Sequence, residues 1–77
     1  MDELTSRAYA AYFRSEGEHA DQPNACASGP LIHDGKEYVV LRGGRGSGMR
    51  VLAVYRVRAP SRLLRRMRRW PVEIEEI

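Results

Sequence analysis

The sequence predicts a small α+β domain: an N-terminal helix, a three-stranded antiparallel meander and a C-terminal basic amphipathic helix. Three features carry that expectation. An apolar stripe with helical spacing opens the chain. Two runs rich in Val, Leu and Tyr lie in its middle, the first entered through an Asp-Gly pair. Leucine, methionine and tryptophan alternate with arginine near its end.

The first element starts at Asp2, whose carboxylate can cap a helix that runs to about Glu16, and Gly17 supplies the positive φ on which helices often end. Leu4, Ala8, Ala11 and Tyr12 share one face, widened by Tyr9 and Phe13, and this face is expected to enter the core. Residues 18–30 contain Asp21, Pro23, Asn24, Ser28, Gly29 and Pro30 without periodicity, which reads as a mobile connecting loop. A short strand Leu31–His33 should turn through Asp34-Gly35 into a second strand, Lys36–Arg42, because that dipeptide tolerates the positive φ angles of a tight hairpin. Gly43, Gly44, Gly46 and Gly48 make the next connection, and Met49–Arg58 is the third strand. Strict alternation there puts Val51, Ala53, Tyr55 and Val57 on one face and Arg50, Leu52, Val54, Arg56 and Arg58 on the other. Apolar side chains on both faces mean that two covering layers are needed, or that the Leu52 and Val54 face meets a second copy of the chain.

Ala59-Pro60 breaks the third strand and Ser61 is a suitable N-cap. On a helix from Ser61 to Trp70, Leu63, Leu64, Met67 and Trp70 cover an arc of about 120° opposite Arg62, Arg65, Arg66, Arg68 and Arg69. A fourth strand over the same residues is the structural alternative. Pro71 stops the helix, and residues 71–77 form an acidic tail that reads as an edge strand or as disordered, its glutamates neutralising part of the arginine face.

At 77 residues the chain makes one domain, 1–77, with a thin core; a domain of this size buries only about 60% of its unfolded surface. A single cysteine, Cys26, excludes an internal disulfide and suits a reducing compartment. With neither a secretory signal nor an apolar run long enough for a membrane span, the expected location is cytoplasmic.

The overall charge of +3 is divided unevenly: −4 over residues 1–41, +10 over 42–70 and −3 over 71–77. Ten arginines and no acid fall between Arg42 and Trp70. Twelve arginines against one lysine is the bias of a GC-rich genome, but codon bias does not remove acids from a segment. Guanidinium forks match phosphate oxygens, and a row of them gains affinity by releasing counterions. The sequence therefore points to a non-catalytic binding protein whose partner is DNA or RNA, held by Arg62, Arg65, Arg66 and Arg69 with Arg45, Arg56 and Arg58 extending the patch. The alternative is a protein-interaction module, either a homodimer through the exposed sheet face or a partner of an acidic protein.

Other chemistry finds little support. The Arg42–Gly48 loop lacks the Gly-Lys-Ser/Thr and the following helix of a phosphate-binding nucleotide loop. His19, Cys26 and His33 are too few for a zinc site, so no metal or other cofactor is expected. Cys26 or Ser28 with His33 has no third group to orient it, so an enzyme is not expected. Tyr38 and Tyr55 could stack on bases, although aromatics on strands more often pack.

Two resemblances add to this. Tyr38-Val-Val-Leu-Arg42, Val51-Leu-Ala-Val-Tyr-Arg-Val-Arg58 and Arg68-Arg-Trp-Pro71 resemble strings in a group of short uncharacterised actinobacterial proteins, which implies a lineage and no activity. The element order is similar to that of a double-stranded-RNA-binding domain, and Gly29-Pro30 to His33 is similar to its first hairpin. That domain opens its last helix with Lys-Lys-x-Ala-Lys, where this chain has Ser61-Arg-Leu-Leu-Arg65.

Overall fold

A computed structural model describes residues 2–17, 21–44 and 49–76. Helix α1 spans Glu3–Glu16. Asp2 caps it as expected, its carboxylate accepting from Thr5 N–H at 3.1 Å and from the Thr5 hydroxyl. Gly17 ends it at φ 85°, its N–H donating to Phe13 O at 2.9 Å. Leu4, Ala8 and Tyr12 are buried and Tyr9, Ala11 and Phe13 pack beside them, so the expected stripe is the helix's core face.

The sheet has four antiparallel strands in the order β1-β2-β3-β4: β1 Gly29–His33, β2 Lys36–Gly43, β3 Arg50–Arg58 and β4 Leu63–Arg66. Asp34 and Gly35 make the β1-β2 turn at φ 52° and 73°, and His33 pairs with Lys36 across it. The expected loop ends two residues early, because Gly29 and Pro30 already pair with Val40 and Val39. Before β1 the described residues are tied to the sheet. Pro23 bridges Gly43, Asn24 N–H donates to Arg42 O at 2.7 Å, and the Ser28 hydroxyl both accepts from Arg42 N–H and donates to Arg42 O. Gly43 permits this crossing, since a Cβ there would collide with Gln22 O. Residues 18–20 of the expected loop, with His19, and 45–48 of the glycine connection lie outside the described residues.

The expected C-terminal helix over residues 61–70 is not formed, and the sheet has four strands rather than three. Arg62 takes φ 57° and its N–H reaches Arg58 O at 2.7 Å, which reverses the chain after β3. β4 then pairs Arg58 with Leu63, Val57 with Leu64, Arg56 with Arg65 and Tyr55 with Arg66. Two physical reasons favour the strand. A helix of about ten residues is marginal without strong packing, whereas the free edge of β3 presents backbone donors and acceptors that a fourth strand satisfies. The element order thus differs from the one that carried the likeness to a double-stranded-RNA-binding domain.

Each face of the sheet has its own cover. Under α1 lie Val39, Leu41, Ala53, Tyr55 and Val57, with Leu64 packed alongside. On the opposite face Tyr38, Val40 and Val54 are buried beneath Ile74, flanked by Leu31, Val51, Met67 and Trp70. Ile74 is fully buried and belongs to the short helix α2, Glu73–Glu76, so the acidic tail is a structural lid rather than an edge strand. Arg42 clamps this lid, donating through Nη2 to Ile74 O at 3.0 Å and through Nη1 to Ala27 O at 3.3 Å. Of the two alternatives for the Val54 face, a second covering layer or a second copy, the chain itself supplies the covering layer.

The register shifts between Leu41 and Arg42, which leaves Leu52 without a cross-strand partner. One extra residue inverts the parity of everything before it. Val51 joins the Ile74 side and Leu52 packs with the α1 side, the reverse of the assignment that strict alternation gives.

Candidate nucleic-acid interface

Alternation in β3 and β4 decides which arginines meet. Arg56 and Arg65 are cross-strand partners on the face away from α1, and Arg58 stands opposite Leu63 on that face. Beyond β4 the chain turns over this face through Met67, Arg68 and Arg69. The result is a recess of about 360 Å³ lined by Arg56, Arg58, Arg65, Arg66, Met67, Arg68 and Arg69. Six of the seven lining residues are arginines and none is acidic, which makes this the most basic surface described.

Arg58, Arg65, Arg68 and Arg69 are exposed, and Arg56 lies deeper. Among the described residues these five form no ion pair. The Arg56 Nε atom is buried and has no hydrogen-bond partner among the described residues. A buried charged donor without a partner is costly, and the basic lining of the recess does nothing to offset that cost. Glu73 and Glu75 make no ion pair among the described residues, so the expected neutralisation in cis is not made by these two, while the side chain of Glu76 lies outside what the structure describes.

The remaining sequence-predicted arginines separate from this group. Arg66 reaches the recess but sends its guanidinium to the other side of β4, where it pairs with Glu16 at 2.6 Å, donates to the Ser15 hydroxyl at 2.9 Å and sits 5.9 Å from the Tyr12 ring centroid. Arg62 lies in the turn before β4, paired with Glu37 at 3.3 Å, while its carbonyl accepts from Arg7 Nη2. Arg45 lies outside the described residues. Arg68 lines the recess, although its helical position alone gave no reason to single it out.

A second recess, of about 490 Å³, adjoins the first and shares Arg66, Met67 and Arg68 with it; Leu52 and Trp70 complete its wall. It lies where β4 has ended and, among the described residues, the Leu52 end of β3 has no strand on that side. Trp70 is half-buried, its packed side against the Ile74 cluster. Tyr38 and Tyr55, the aromatics considered for stacking, are both buried in the two core clusters and cannot present a ring face. Burial pushes the Tyr55 phenol above its usual pKa, with Arg66 opposing the shift and Glu16 adding to it.

The other candidate chemistry is taken up structurally. Ser28 spends its hydroxyl on Arg42, and exposed Cys26 donates its N–H to Asn24 Oδ1 in a local turn. No group of three His, Cys, Asp or Glu among the described residues could hold a metal, and no described helix is long and apolar enough to cross a membrane. Comparisons with family models, curated proteins and solved structures found no match for the chain.

Proposed function

We propose that this chain is a binding protein that holds the phosphates of a nucleic acid in the arginine recess. The observation that carries the reading is five guanidiniums, Arg56, Arg58, Arg65, Arg68 and Arg69, that form no ion pair among the described residues and converge in a recess with no acidic lining residue. Each exposed fork can take a phosphate bidentately, and spacing along two strands and a turn suits a repeating polyanion better than one small anion. The buried Arg56 donor gives the recess a fixed floor rather than a diffuse charged rim.

The test is a titration with labelled DNA and RNA at two salt concentrations, on the wild type and on Arg65→Glu/Arg68→Glu/Arg69→Glu. All three side chains are exposed, so the fold should persist, which circular dichroism checks. The wild type should bind and lose affinity steeply with salt, and the triple variant should lose binding. Unchanged binding by the variant would exclude this recess, and no wild-type binding at low salt would leave a protein partner as the better reading.

A further inference from the structure

Building on the phosphate reading, we infer that the preferred ligand is single-stranded, with a base unstacked from its neighbours lodged in the second recess against Trp70. Two independent features of that recess support this. Leu52, Met67 and Trp70 make three of its five lining residues apolar or aromatic, whereas Met67 is the sole apolar residue among the seven of the arginine recess next to it. It is also continuous with the arginine recess, since Arg66, Met67 and Arg68 line both. A charged groove beside an aromatic platform is the arrangement that holds single strands, the backbone on the cations and a base on the ring.

Duplex bases are paired and stacked, so they cannot enter a recess at a sheet edge without being pulled out of the helix. A duplex can offer its phosphates to the arginines but nothing to Trp70. The position of the recess follows from the unequal lengths of β3 and β4. β4 pairs only with Tyr55–Arg58, and the turn Met67–Trp70 closes the space beyond it. Arg68, shared by the two recesses, is placed to hold the phosphate next to the lodged base.

The chain has one tryptophan, so its intrinsic fluorescence reports this recess alone. The experiment adds labelled oligothymidylate, oligouridylate, a duplex of the same length, and inorganic polyphosphate, which has no base. It follows tryptophan emission together with label anisotropy, with polyphosphate binding read by calorimetry. The expected result is quenching by the two single strands, tighter binding of those strands than of the duplex, and polyphosphate binding without comparable quenching. Trp70→Leu should weaken oligothymidylate binding about tenfold and leave polyphosphate binding unchanged, and Trp70→Phe should restore most of the loss.

Single strands that bind by anisotropy without changing the emission, a duplex that binds as tightly, or a Trp70→Leu variant with wild-type affinity would each overturn the base-lodging inference and leave the phosphate reading standing. Absence of binding by polyphosphate and by every nucleic acid would bring down both. Trp70 also packs on the core, so if Trp70→Leu does not fold, the wild-type quenching and the strand preference decide the matter.

Discussion

Arg65 and Arg66 are adjacent in β4, and the alternation of a strand sends them to opposite faces. Arg65 stands across from Arg56 in the recess, whereas Arg66 is spent on Glu16, Ser15 and the Tyr12 ring. Arg66→Ala should therefore lower stability by less than about 1 kcal/mol, as expected for a partly exposed pair, and leave nucleic-acid affinity nearly unchanged. Arg65→Glu should do the reverse, and urea melts beside binding titrations separate the two. On a helix the spacing of Arg62, Arg65, Arg66 and Arg69 would have placed all four together, so the acid-free block was legible in the sequence but the membership of the site was not. A second residue-scale test concerns Tyr55, whose hydroxyl is buried with no hydrogen-bond partner among the described residues. Removing an unsatisfied buried hydroxyl should help, so Tyr55→Phe should stabilise the fold by about 1 kcal/mol. Burial raises the phenol's pKa in the folded state above its unfolded value of about 10. The wild type should accordingly lose stability as the pH rises past about 10, where the unfolded chain ionises first, and Tyr55→Phe should lose less. Melts at neutral and alkaline pH measure both effects.

At the scale of elements, what the sequence made readable was whatever local chemistry dictates. Asp2 as cap, Gly17 as terminator, the Asp34-Gly35 turn and the β-rich runs all depend on neighbours within a few residues, and each formed where expected. Residues 61–70 depend on a partner distant in the chain. Their leucines, methionine and tryptophan fit a helical stripe, but the free edge of β3 claimed the segment and divided that stripe, with Leu64 under α1 and Met67 and Trp70 on the other face. The bulge that exchanges Val51 and Leu52 was illegible for the same reason, since register is a property of two strands. The tail shows how far composition misleads: the acidic segment read as an edge strand or as disordered, yet its Ile74 is fully buried and seals the second sheet face. Ile74→Ala should cost about 2–4 kcal/mol, a large share of the stability of so small a domain. It should also free the Arg42 clamp on α2, and greater amide exchange in residues 71–76 together with a lower urea midpoint would register both. A midpoint equal to that of the wild type would mean that the lid contributes nothing to the second core.

For the whole molecule, folding concentrates a charge contrast that the sequence spreads out. Glu16, Asp21 and Glu37 neutralise Arg66, Arg50 and Arg62, pairing the acidic first half with part of the basic block; of the other described arginines in that block, Arg42 is held by the Ala27 and Ile74 carbonyls and the remaining five line the recess. This subtraction converts a net charge of only +3 into a local excess on one side of the sheet. It also bounds the salt dependence. If the five recess arginines that form no ion pair among the described residues each neutralise one phosphate of a single strand, the slope of log affinity against log salt should be about −3.5, and each charge-removing substitution among them should make it shallower by about 0.7. Arg62→Gln and Arg66→Gln should leave the slope where it was, because their guanidiniums are already engaged by Glu37 and Glu16. A wild-type slope near zero with measurable binding would mean that affinity does not come from phosphate neutralisation. A slope well beyond −3.5 would mean that the ion-paired arginines open in the complex and exchange their carboxylates for phosphates, and the Arg62 and Arg66 substitutions would then flatten it as well.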